Sequence, residues 1–155
     1  MAGFNESLLT NEDYDFNYRV RLTGREVILD RSGHCNYFAR TSLGDLAAQY
    51  SRYGRWKARM ILLHPRSIKL RHLVAPAFVL SIAGLVLISI FQPLFAGLLA
   101  LEVGIYFFLA LVFAWRIAQR NHDGASMMLV LPFVFLVIHL TWGASFLLGL
   151  GHKPR

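Results

Sequence analysis

Three apolar runs, at about residues 73 to 91, 94 to 115 and 127 to 150, constrain this chain more than any other feature. Each is close to the roughly 20 residues that an α-helix needs to cross the hydrocarbon core of a bilayer. Between residues 73 and 150 the only charged side chains are Glu102, Arg116, Arg120 and Asp123, whereas residues 1 to 72 hold most of the charge. A hydrophobic fraction of 55% and a mean hydropathy of +0.45 are too high for an ordinary soluble domain. The runs therefore read as membrane spans. The first two are joined by a tight turn at Gln92 and Pro93, the last two by "RIAQRNHDGAS".

The net charge of +7 is concentrated just before the first run, in Arg52, Arg55, Lys57, Arg59, Arg66, Lys69 and Arg71. Juxtamembrane Lys and Arg favour anionic lipid head groups and the cytoplasmic face. No recognition helix, zinc-ligand spacing or RNA-binding signature accompanies the charge, so membrane lipid is the expected partner and nucleic acid is not. Cys35 is the single cysteine; it allows no internal disulfide and matches no metal spacing. The opening "MAGFNESLLTNEDYD" has neither a basic nor an apolar segment of a secretory signal. These features predict a multi-pass protein of the inner (plasma) membrane with a cytoplasmic N-terminal part. The connector with Arg116 and Arg120 then falls inside and the C-terminal "GHKPR" outside.

Local patterns predict the rest. Residues 10 to 23 read as a short helix with Thr10 as cap, Asp13 three places on, and Phe16, Val20 and Leu22 as an inward stripe, ended by Gly24. "EVILD" (26 to 30) reads as a brief buried strand, and "RSGHCNYFAR" as a loop. A longer helix begins after Ser42, with Asp45 at the third helical position, and stops at His64 and Pro65. Leu46, Tyr50, Tyr53, Trp56, Lys57, Met60 and Leu63 recur along it at three- and four-residue steps, the pattern of an amphipathic helix lying at a membrane surface.

Two polar clusters carry the candidate chemistry. "TNEDYDFNYRV" places Glu12, Asp13 and Asp15 within four positions, where carboxylates complement a helix dipole. "QYSRY" places Gln49, Arg52 and Tyr53 at i, i+3 and i+4, on one side of the second helix. An amide, a fixed cation and an aromatic face are the groups that hold a sugar ring or a diphosphate. Within the spans, Glu102 and His139 stand out as ionisable groups that can pair, and Gly143, Ala144 and Ser145 as small residues that permit close helix packing.

The two clusters, 36 positions apart from Asp13 to Gln49 and followed by membrane helices, resemble the membrane-bound family 2 glycosyltransferases of the succinoglycan and exopolysaccharide kind. "AGFNESLLTNEDYDFNYRVRLTG" is similar to that family's "GGFDE … ED-x-D-L-x-x-R" segment, and "QYSRY" to its Gln-x-x-Arg-Trp motif, with Tyr53 in place of tryptophan. The resemblance covers nearly the whole chain, by motif through residue 72 and by hydropathy beyond it. It implies an inverting transfer of a sugar from a nucleotide-diphosphate donor to a lipid-linked or polysaccharide acceptor. Asp13 would be the general base and Glu12 would position it, with Asp15 and Arg19 making structural contacts. Gln49, Arg52 and Tyr53 would line the acceptor and diphosphate side.

The resemblance also implies a donor-binding α/β half with an Asp-x-Asp metal site ahead of the Glu-Asp segment. Nothing in these residues can play that part, so the chain is expected to be the C-terminal part of such an enzyme and inactive alone. It offers no metal ligands of its own, and Mg²⁺ or Mn²⁺ is expected only for the complete enzyme. The fold class that follows is mainly α. It comprises a remnant of a GT-A-type α/β catalytic domain (1 to 41), an amphipathic interfacial helix with its basic segment (42 to 72), three transmembrane helices (73 to 150) and a tail (151 to 155). The alternative is a small non-enzymatic membrane protein that docks a basic amphipathic helix on lipid or on a partner subunit.

Overall fold

The computed structural model describes residues 3–30, 32–121 and 125–151. They form five α-helices: α1 (Glu12–Leu22), α2 (Leu43–Leu63), α3 (Val74–Ser89), α4 (Leu94–Asn121) and α5 (Ala125–Leu150). Two single 3₁₀ turns, Pro65–Ser67 and Leu70–His72, link α2 to α3. The protein is mainly helical, with no strand among the described residues.

The "EVILD" segment is accordingly extended but unpaired, and Ile28 and Leu29 are each 83% exposed. A strand needs a neighbour for its N–H and C=O groups, and none is present among the described residues.

α1 begins differently from the expectation. Asn11, not Thr10, precedes it, in the left-handed region at φ 66° and without a side-chain cap bond. The three carboxylates of the first turn supply the negative charge that the helix start favours. At the other end Gly24 adopts φ +78° and its N–H reaches Arg21 O, a left-handed stop that suits glycine. The apolar stripe faces inward only in part: Leu22 is exposed, whereas Phe16 and Val20 are half-buried, the Phe16 ring lying 5.0 Å from that of Phe4 and 5.7 Å from the Arg19 guanidinium. The buried residue of α1 is Asp15, 1% exposed, which accepts from Arg19 Nε and from His64 Nε2, each at 2.8 Å. Tyr14 adds a second tie, its hydroxyl donating to Ser67 O at 3.0 Å. α1 is thus fastened by polar contacts to the end of α2 and the linker beyond it.

α2 starts and stops where the sequence predicts. Ser42 Oγ accepts from Asp45 N–H at 3.0 Å and donates to Asp45 Oδ2, and Pro65 follows the last turn. Its buried face keeps Lys57 and Met60 of the predicted stripe but turns toward Gly54, Ala58 and Ile61, which pack against α5, while Tyr53 and Leu63 at the stripe's edges are exposed. A Cβ on Gly54 would overlap Trp142 O, and one on Gly149 would lie 3.0 Å from Arg55 Cα. Small residues bring the two backbones together. Ser51 and Ser145 hydrogen bond across the seam at 2.8 Å, and Ala58, Ile61, Phe146 and Trp142 fill its core.

α3 meets α5 in the same way, since a Cβ on Gly143 would come within 2.8 Å of Val79 Cγ2. The close-packing role expected for Gly143 and Ser145 is observed. The last third of α5 therefore lies beside both α2 and the start of α3. That differs from the expected alternation, in which the C-terminal end faces away from the basic half.

Two helices, Leu94–Arg120 and Ser126–Leu150, are long and apolar enough to cross a membrane. α3 has 16 residues, about 24 Å at 1.5 Å per residue, against a hydrocarbon core of about 30 Å. It ends at the predicted turn, where Gln92 N–H reaches Ile88 O. α4 continues through much of the predicted connector to Asn121; residues 122–124 lie outside the described residues. Glu102 and His139 do not pair. Ser81 Oγ donates to Glu102 on the α3–α4 seam, while Tyr106 OH meets His139 Nδ1 at 3.0 Å between α4 and α5. Each polar group has found a local hydroxyl partner instead.

Candidate active site

A cavity of about 520 Å³ opens between the start of α1, the middle of α2 and the second 3₁₀ turn. Thr10, Glu12 and Asp13 form one wall, and Tyr53 and Lys57, one helical turn apart on α2, form another. Arg71, His72 and Trp142 complete it. Asp13 is exposed at the rim, its Oδ1 accepting from Tyr14 N–H at 2.7 Å. Glu12 Oε2 and Thr10 Oγ1 are buried without a hydrogen-bond partner in the structure. Two orphan polar atoms in one wall mark a place where a hydroxyl-bearing ligand would gain bonds.

The opposite wall is cationic. Lys57, 6% exposed, places Nζ 3.1 Å from the centre of the Tyr14 ring, a cation–π contact that holds it inward. Burial lowers its pKa from 10.5 to about 8, and Arg71 and Lys69 push the same way against a smaller opposing pull from Asp13. His72 is lowered to about 4, first by burial and then by Lys57, Arg71 and Lys69. It is therefore neutral near pH 7. Its Nδ1 accepts from Lys69 N–H at 3.2 Å, which places the ring proton on Nε2 as a donor.

Of the residues singled out from sequence, Glu12, Asp13 and Tyr53 converge on this cavity. Gln49 is buried and does not line it; its amide donates to Tyr53 OH at 2.8 Å and Tyr37 OH at 3.1 Å, and its Oε1 accepts from Arg40 at 3.2 Å. Gln49 positions the Tyr53 hydroxyl and ties Tyr37 and Arg40 to α2. Arg52 is exposed and is not part of the lining. The separation arises because i, i+3 and i+4 span a wide arc, and the cavity takes only its Tyr53 edge. Lys57, Arg71, His72 and Trp142 were not anticipated. A lysine four residues after Tyr53, inside an aromatic stripe, was the available signal for the first; Trp142 joins through tertiary packing alone.

The residues present do not fit a divalent cation. Among the described residues no three His, Cys, Asp or Glu side chains converge, and the cavity's two carboxylates share it with Lys57 and Arg71. A hard cation requires about six oxygen ligands. What the arrangement can do is accept a proton at Asp13 from a hydroxyl in the cavity, while Lys57, Arg71 and the His72 Nε2–H attract an anionic or polar neighbour.

Residues 3–150 match the family model described as Glycosyl transferase family 21, and the chain belongs to that family. It is 29% identical over 148 residues to the succinoglycan biosynthesis protein ExoA of Rhizobium meliloti (strain 1021). The match covers 94% of this chain and 42% of that protein, so the chain spans less than half the length of its relative. The resemblance to succinoglycan-type glycosyltransferases is borne out by this relative, and the matching family model is that of family 21. No solved structure matches.

Proposed function

We propose that the chain is the acceptor-side and membrane-anchor portion of an inverting glycosyltransferase. The enzyme would move a sugar from a nucleotide-diphosphate donor to a lipid-linked or polysaccharide acceptor. The observation that carries this reading is the convergence of Asp13, Glu12 and Tyr53 with Lys57 and Arg71 in one cavity beside apolar helices. Asp13 takes the acceptor hydroxyl proton as that oxygen attacks the anomeric carbon and the nucleoside diphosphate departs. Glu12 Oε2 accepts from a second hydroxyl of the acceptor, and the Tyr53 ring stacks on a sugar face. Gln49 acts by holding Tyr53, and Arg52 is left for the diphosphate side, outside the cavity.

In this reading residues 1 to 41 are the remnant of the GT-A-type catalytic domain, and Mg²⁺ or Mn²⁺ belongs to the donor-binding portion. Ile28 and Leu29 offer it an apolar edge to cover. The basic residues before α3 favour a cytoplasmic N-terminal part, with α4 and α5, and α3 if the bilayer thins around it, anchoring the chain in the inner membrane. The alternative, a non-enzymatic docking helix, has less support, because the closely packed face of α2 is already covered by α5.

The test is transfer of radiolabelled sugar to membrane glycolipid or polysaccharide in vesicles that contain this chain, the donor-binding half, or both. Transfer that requires both supports the reading. Transfer by the donor half alone, unchanged by adding this chain, refutes it.

A further inference from the structure

A second cavity, of about 480 Å³, lies on the other side of Tyr14, between the last turns of α1 and the linker to α3. Four cations line it: Arg21 from α1 and Arg66, Lys69 and Arg71 from the linker, with no carboxylate among its lining residues. Its floor includes Ser67, 3% exposed, whose hydroxyl has no hydrogen-bond partner in the structure while its carbonyl accepts from Tyr14. Converging like charges repel unless an anion joins them. Guanidinium groups match phosphate oxygens with paired hydrogen bonds, and a buried orphan hydroxyl supplies one more donor. The linker runs directly into the apolar helix α3, which puts the cavity at the depth of lipid head groups if that helix enters the bilayer.

We propose that this cavity binds a terminal phosphate or diphosphate group. The source is either the head group of a membrane lipid or a free phosphoryl anion, since both present the same chemistry. Arg21 and Arg66 supply guanidinium donors to the phosphate, one from α1 and one from the linker, and Ser67 Oγ donates a further hydrogen bond. The site is separate from the cavity that holds Asp13, sharing only Tyr14 and Arg71 with it.

The test uses the full chain in detergent micelles, titrated calorimetrically with inorganic pyrophosphate and, separately, with a short-chain phosphatidic acid. Arg21→Gln/Arg66→Gln removes two cavity cations. Arg25→Gln/Arg120→Gln removes the same charge elsewhere, and the single Arg66→Gln on the exposed linker serves if the first pair fails to fold. The parent is expected to bind at least one probe, with affinity falling about tenfold or more in the cavity variants and little in the control pair. Loss confined to phosphatidic acid identifies a lipid source, and loss confined to pyrophosphate identifies a free anion. Loss of both, with mutual competition, identifies a site open to either. Binding of neither probe by the folded parent, or equal loss in the cavity and control pairs, overturns the proposal.

Discussion

Asp15→Ala is the substitution that most directly probes how α1 is held. Asp15 is buried and bonded at 2.8 Å to both Arg19 and His64, and Arg19 in turn reaches Gly3 O at 2.7 Å. A hydrogen bond to a charged group contributes roughly 1.5 to 3 kcal/mol, and removing the carboxylate deletes two of them. Arg19 and His64 side chains are about a quarter exposed, so water recovers part of that loss. A net cost of about 2 to 3 kcal/mol is expected, a roughly 30- to 150-fold rise in the population with α1 undocked. Hydrogen exchange of the α1 amides in detergent micelles reads that population directly, because local opening governs exchange there. Protection in Leu43–Leu63 should hardly change, since α2 is secured by α5. Exchange of α1 that stays within about threefold of the parent would show that the buried carboxylate does not fasten this helix, and the docking account would be wrong.

Three further outcomes follow from the same geometry. Lys57 has a folded pKa of about 8 against 10.5, so the unfolded chain binds more protons between those values and stability rises with pH across that window. Lys57→Met should flatten the rise, measured as thermal midpoint from pH about 8 to about 10; an unchanged slope contradicts the burial of the amine. Gly54→Val should push α2 off Trp142 and lower stability by roughly 1 to 3 kcal/mol in a denaturation assay, whereas Gly44→Val, beyond the contact, should cost less. Cys35 is free and exposed; with the N-terminal part on the cytoplasmic side as proposed, it should resist a membrane-impermeant thiol reagent in intact cells and react once the membrane is opened. Labelling in intact cells would reverse the proposed orientation.

Features set by neighbouring residues were legible in the sequence. Ser42 and Asp45 mark the start of α2 because the cap involves only that turn, and Gly24 and the Gln92–Pro93 turn are local for the same reason. The convergence of Glu12, Asp13 and Tyr53 was legible through the family pattern rather than through any spacing rule. What was misread depends on partners far along the chain. Asp15 does make the structural contact expected with Arg19, but its second partner, His64, lies 49 residues away and is not visible locally, and Gly54 faces inward because Trp142 O lies against it. Glu102 and His139 each take a hydroxyl partner from a neighbouring helix, which no periodicity reveals. "EVILD" has strand composition, but composition supplies no second strand to pair with.

The central claim is that Asp13 removes the acceptor proton. Asp13→Asn keeps the size of the side chain and an oxygen able to accept from Tyr14 N–H, and Asp13 takes no part in the Asp15 docking contacts. Sugar transfer by this chain combined with the proposed donor-binding half should fall at least about a hundredfold in kcat, with acceptor binding and α1 protection preserved. A variant that transfers sugar at the parental rate would remove Asp13 from the chemistry.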